Sequence, residues 1–153
     1  MARVKLKING EESAIEAKDT ALLLDVLREQ LDLTGAKRGC ETSHCGCCTV
    51  VLDGMAVHSC VVLAARCEGK EITTVEGLSQ NGELDPLQKS FLKHGAVQCG
   101  YCTPGMLMAA KALLQHTGRP SLAEVKASLD GNLCRCTGYT AIFDAILACG
   151  REK

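Results

Sequence analysis

Cysteines carry the chemistry of this sequence, and they fall into two sets. Cys40, Cys45 and Cys48 lie in "CETSHCGCC", and eleven residues separate Cys48 from a fourth, Cys60. C-x4-C-x2-C with one distant partner is the spacing of a plant-type 2Fe-2S site. Such a loop wraps an inorganic core and presents several thiolates to it, while its amides turn inward toward the anionic sulfurs. Gly39 and Gly46 permit so tight a path. Zinc is the competing metal, because four cysteines also close a tetrahedral structural site. Its ligands usually come as two short knuckles, not as three in one loop with a single distant fourth. His44 and His58 do not fall into the two-cysteine, two-histidine pattern of a Rieske centre.

The second set is Cys99 and Cys102 in "VQCGYCTPGM" with Cys134 and Cys136 in "GNLCRCTGY", a C-x2-C and a C-x-C separated by 31 residues. Taken alone this suits zinc almost as well as 2Fe-2S. Helical signals after each pair, ahead of Pro104 and of Tyr139, place both pairs at helix N-termini, where partial positive charge favours a thiolate-bound anionic cluster. Cys47 reads as a small residue in a crowded loop, able to offer a competing ligand if Cys45 or Cys48 were lost. Cys67 and Cys149 read as small buried hydrophobes. Met106 and Met108 are assigned to packing, and His94 and His116 to helix ends with no further role.

The elements that must position these sets differ between the halves. "VKLKI" alternates apolar residues with lysines, and Asn9-Gly10 signals a hairpin into a second strand near Ile15. Asp19-Thr20 could cap "ALLLDVLREQL", whose Leu23, Val26, Leu27 and Leu31 have helical spacing. After the cysteine loop, "TVVLDGMAVHSC" reads as a hairpin turned at Asp53-Gly54, and "EITTV" as a last short strand. From Gly77 to Asp85 the chain is polar. Beyond it "LDPLQKSFLKHG", "TPGMLMAAKALLQHTG", "SLAEVKASLDG" and "GYTAIFDAILACG" all read as helices.

The 153 residues suit one domain or two small ones sharing an interface. A net charge of −1 with scattered Lys and Arg argues against nucleic acid and against a polybasic membrane patch. "MARVKLKING" shows no signal-peptide pattern and no long apolar run follows, so a cytoplasmic chain without membrane insertion is expected. Eleven cysteines in that compartment read as metal ligands or redox groups.

Together "GCETSHCGCCTV", "VQCGYCTPGM" and "GNLCRCTGY" resemble the iron-sulfur subunit of the molybdenum hydroxylases, the xanthine oxidase family, over nearly the whole chain. The two motifs in this order are more specific than either alone. The resemblance implies an α+β fold: a β-grasp ferredoxin-like domain over 1–77, then an all-α helical-bundle domain over 78–153, each holding one 2Fe-2S cluster. Cys40, Cys45, Cys48 and Cys60 would ligate the first, and Cys99, Cys102, Cys134 and Cys136 the second. Gln98 matches the family glutamine at the pterin ring, and Cys136 the ligand nearest the pterin amino group. Cys47 departs from the family, which usually has alanine or serine there.

The resemblance also implies the partners. These are a large molybdopterin subunit, with the cofactor of cytosine dinucleotide type, and a medium FAD subunit, in a dimer of heterotrimers. Electrons would pass from the pterin through the helical-domain cluster and the plant-type cluster to FAD, and no catalytic residue is assigned to this chain. Carbon monoxide, aldehydes, N-heterocycles and aromatic CoA-thioesters all remain open as substrates. The alternative is a free two-cluster ferredoxin or a zinc-stabilised interaction module. A free carrier usually shows an acidic docking bias, and this nearly neutral chain suits a permanent interface better.

Overall fold

Alternation of Val4, Leu6 and Ile8 with lysines lays one apolar face along β1 (Ala2–Ile8), and Asn9-Gly10 turns the chain back into β2 (Glu11–Ala17). Both turn residues have positive φ, 53° and 88°, as a type I′ hairpin requires. The computed structural model describes residues 2–151. Residues 1, 152 and 153, at the outer ends of the two expected domains, lie outside the described residues.

Leu23, Leu24, Val26 and Leu27 bury against the sheet from a short helical segment, α1 (Leu23–Asp25), continued by a π-helical turn over Val26–Gln30. Two expectations change here. Asp19-Thr20 does not cap: the N-cap is Leu22, without a side-chain bond, and the Leu23 N–H donates instead to the Val62 carbonyl at 2.7 Å. A backbone carbonyl from a neighbouring loop has taken the capping role. Nor does a regular helix run on to Leu31, whose N–H reaches back five residues to the Val26 carbonyl at 3.2 Å. The widened turn releases the chain toward the cysteine loop, where the Arg28 guanidinium donates to the carbonyls of Thr34 and Ala36, each at 2.8 Å.

The second hairpin forms as expected, with β3 (Thr49–Leu52) and β4 (Met55–His58) joined at Asp53-Gly54. β5 (Glu71–Thr73) pairs parallel with β1 and antiparallel with β3, giving the mixed sheet β2-β1-β5-β3-β4. This is the ferredoxin-like arrangement of sheet and crossing helix.

Beyond the sheet come α2 (Pro86–Lys93), α3 (Thr103–Thr117), α4 (Leu122–Ser128) and α5 (Thr140–Arg151). Two starts are written in the sequence. Asp85 with Gln88, and Ser121 with Glu124, form reciprocal capping boxes. Leu87, Phe91, Met106, Val125, Ile142 and Ile146 fill the helical core, each fully buried side chain contributing about 1.5–3 kcal/mol. No helix among the described residues is long and apolar enough to cross a membrane.

The halves meet on β3. Its side chains alternate, with Val50 in the core under α1 and Val51 in the helical core, so the strand is buried on both faces. α3 packs across β3 and β4 on the Val51 side. The cysteine loop feeds directly into this strand, which therefore fixes the loop against both cores.

Candidate metal centres

The loop from Cys40 to Cys48 winds through left-handed backbone at Glu41, Ser43 and Gly46, with φ of 54°, 62° and 69°. That winding turns amides inward. The N–H groups of Thr42, His44 and Cys45 converge on Cys40 Sγ at 3.4, 3.2 and 3.3 Å, and the Cys40 N–H approaches Cys45 Sγ at 3.4 Å. The Thr42 hydroxyl, followed by these amides, holds the Cys40 thiol down at about 5, so it is a thiolate at neutral pH. A Cβ on Gly39 would stand 2.6 Å from Cys45 Sγ, so the sulfur occupies space that only glycine leaves open.

Cys48 and Cys60 meet at the other side of the loop. The Ser59 N–H and hydroxyl both donate to the Cys48 carbonyl, at 3.3 and 2.7 Å, and this brings the next residue beside Cys48. Burial, with the neighbouring Cys60 thiol, pushes Cys48 up to about 11. Arg38 anchors the loop from outside, with its guanidinium on Glu29 at 3.1 Å and on Glu41 at 2.9 Å. Those two carboxylates raise its pKa further, so it stays charged.

In the helical half, Cys102 is the N-cap residue of α3, as the sequence suggests. Cys134 and Cys136 are not at a helix N-terminus. α5 begins only at Thr140, because Gly138 and Tyr139 both take positive φ, 64° and 69°, and bend the chain before the helix starts. The expectation of two opposed helix ends therefore holds for one pair alone.

The four thiols nevertheless meet two by two. Cys102 lies with Cys134, and its pKa is pushed up to about 12 by burial and then by that neighbour. Cys136 lies with Cys99, whose hydrogen bond raises it. Burial works to raise Cys134 as well. The Thr137 hydroxyl at 3.1 Å and N–H at 3.5 Å outweigh it, and the net shift is downward.

Among the described residues, no three or more His, Cys, Asp or Glu side chains gather as a set that could hold a metal ion. The donor sets are instead thiols divided two and two, which is how a two-iron cluster takes its ligands, two on each iron. Inward amides and a cradle that a Cβ would fill at the first site, the Thr137 donors on Cys134 at the second, and all-sulfur donors at each fit 2Fe-2S. Gln98, Cys99 and Cys136 are exposed, and Cys99 and Cys136 lie together; Val97, Tyr101 and Leu133 are exposed apolar residues next to the cysteine pairs in sequence.

The remaining cysteines behave as packing. Cys67 and Cys149 are buried, and so is Cys47, which burial and the neighbouring Cys45 push up to about 12. Met106 and Met108 are fully buried in the helical core. His94 caps the end of α2 through its ring and the Ser90 carbonyl at 2.9 Å. His116 does have a further role: its Nε2 donates to the Gly54 carbonyl at 3.0 Å, tying the end of α3 to the β3–β4 turn.

Thr137 escaped the sequence reading, although its place one residue after "CRC" was a usable signal. Hydrogen bonds to ligand sulfur stabilise the more negative, reduced cluster. Thr137→Val keeps the shape and removes the hydroxyl. The midpoint potential of the helical-domain site should fall, on the order of tens of millivolts, with the other site unchanged. Redox titration followed by electron paramagnetic resonance reads both in one sample.

Two family models cover almost the whole chain, a 2Fe-2S iron-sulfur cluster binding domain over residues 6–79 and a [2Fe-2S] binding domain over residues 74–147. The chain is 46% identical over 143 residues to the nicotinate dehydrogenase small FeS subunit of Eubacterium barkeri, covering 94% of this chain and 91% of that one. It superposes on quinoline 2-oxidoreductase from Pseudomonas putida 86 with a TM-score of 0.94 and 47% identity, over 98% of this chain and 94% of that one. Against the aldehyde oxidoreductase from Desulfovibrio gigas the TM-score is 0.94 and the identity 44%, over 98% of this chain but only 17% of that much longer one.

Proposed function

Since the chain belongs to the small iron-sulfur subunits of the molybdenum hydroxylases, the xanthine oxidase family, we propose that it relays electrons one at a time from a molybdenum-pterin site on a large subunit, through the helical-domain and then the plant-type cluster, to FAD on a medium subunit. The observation that carries this reading is the pair of four-thiol sets, one in each half. Each is divided two and two, and the helical set has two cysteines at the surface. A 2Fe-2S cluster holds one electron at a time, which is the chemistry it supplies between two-electron centres.

Cys40, Cys45, Cys48 and Cys60 are the proposed ligands of the first cluster, and Cys99, Cys102, Cys134 and Cys136 those of the second. Gln98 and Cys136 are proposed to face the pterin, of cytosine dinucleotide type. Their exposure, with Cys136 against Cys99, the residue after Gln98, supports this. Gln98→Ala should leave both cluster signals intact while pterin content and turnover fall; unchanged pterin content and turnover would count against the role. The boundary between domains is placed after Gly77, where the 3-10 turn Val75–Gly77 closes the sheet half and the polar stretch to Asp85 begins. A cytoplasmic dimer of heterotrimers completes the proposal. The 17% share of the aldehyde oxidoreductase chain supports attachment to larger machinery.

The test is metal analysis with electron paramagnetic resonance on the chain purified with its partners from its native host. Four irons per chain, two distinct 2Fe-2S signals on reduction, and copurifying molybdenum and FAD are expected. Zinc in the cysteine sites, or a chain carrying its clusters without partners, would overturn the proposal.

A further inference from the structure

A buried amide crosses between the two cysteine sites. Asn132, only 4% exposed, lies two residues before Cys134 in the helical half. Its Nδ2 donates to the Gly46 carbonyl at 3.0 Å and to Thr49 Oγ1 at 3.1 Å, in the loop between Cys45 and Cys48 and at the start of β3. The Thr49 hydroxyl in turn donates to the same Gly46 carbonyl at 2.6 Å. Next to it the Leu133 N–H donates to the Cys45 carbonyl at 2.9 Å.

The fit around this contact leaves no slack. A Cβ on Gly105, in the first turn of α3, would stand 2.2 Å from the Gly46 carbonyl oxygen, and one on Gly46 would stand 2.4 Å from the Gly131 carbonyl oxygen. On the far side the Tyr139 hydroxyl donates to the Asn132 carbonyl at 3.4 Å and accepts from the Cys134 N–H at 2.9 Å. One short run of backbone is therefore fastened at one end beside Cys45 and at the other beside Cys134.

Burying an amide costs free energy unless its hydrogen bonds are met, and an apolar residue would fill the same space without that condition. What the amide adds is direction, as a buried asparagine does when it fixes register between helices. We infer that Asn132 is a positioning residue that sets the spacing between the plant-type ligand loop and the C-x-C segment, and thereby the rate at which electrons pass between the two sites. The inference rests on the two-cluster relay proposed above.

The test uses the assembled complex carrying Asn132→Leu, which keeps length and removes the donor. Iron content, the two individual cluster signals, the magnetic splitting between them when both are reduced, and the rapid-freeze rate of electron passage are read together. The expected result is full iron and both signals, with an altered splitting and a several-fold slower passage. Full iron with unchanged splitting and rate overturns the inference and leaves the relay standing. Thr49→Val removes one of the two acceptors and leaves Asn132 in place. It decides the matter if Asn132→Leu loses iron: altered splitting supports the positioning role, and unchanged splitting overturns it. A wild-type complex without two 2Fe-2S signals would overturn the relay, and this inference with it.

Discussion

Cys48→Ser is expected to halve the iron of the chain, erase the plant-type signal and leave the helical-domain signal in place. Cys48 sits at the entry to β3, buried beside Cys60, where a serine hydroxyl would replace its sulfur. Under the proposed order of transfer, the large subunit should still react once with substrate, and the electrons should then stop short of FAD. A steady-state rate lower by about 10³-fold or more, with single-turnover reduction of molybdenum preserved, is the expected pattern. If the single turnover also vanished, the division of labour between the clusters would be wrong. Cys47 is the one thiol close enough to substitute, so the double variant Cys47→Ala with Cys48→Ser serves as control. Iron retained in the single variant and lost in the double would show that the neighbour had stepped in.

Gly46→Ala should do comparable damage by a different route. Gly46 takes a φ of 69°, which costs a side chain about 1–2 kcal/mol. Its Cβ would also stand 2.4 Å from a backbone carbonyl oxygen and 2.5 Å from the Asn132 amide. Overpacking of that kind costs roughly 1–3 kcal/mol more, so a total loss of about 3 kcal/mol and a melting temperature lower by about 10 °C are expected. Gly10→Ala isolates the first effect, because Gly10 has a φ of 88° but nothing within 4 Å of its Cβ position. Equal melting temperatures for the two variants would show that the contact with residues 131 and 132 carries no weight.

Local signals were the legible part of this chain. Asn9-Gly10 and Asp53-Gly54 each encode positive φ at both turn positions, and Asp85 with Gln88 and Ser121 with Glu124 encode helix starts within three residues. The cysteine loop is local in the same sense at its centre, since the amides that turn onto Cys40 Sγ come from Thr42, His44 and Cys45. What could not be read depends on distant partners. The cap of α1 comes from Val62, the ring of His116 reaches Gly54, and Asn132 meets a loop 86 positions earlier. Periodicity carries no information about such contacts. The late start of α5 belongs to a third kind: Gly138 announces a bend, but a left-handed Tyr139 has no sequence signature of its own.

β3 also bears on how the chain comes to be made. Synthesis runs from the N-terminus, and domains generally fold as units, the N-terminal one first. The sheet is complete once Thr73 emerges, and its loop then already holds the cysteines of the first set with Cys60 in reach. The far face of β3, with Thr49 and Val51, has no cover at that moment, because α3, which packs across it, has not yet left the ribosome. For tens of residues of elongation the nascent chain presents this strand face, Val51 included, uncovered beside reactive thiols. A pause in translation over that stretch would expose the subunit to aggregation and oxidation more than a pause anywhere later.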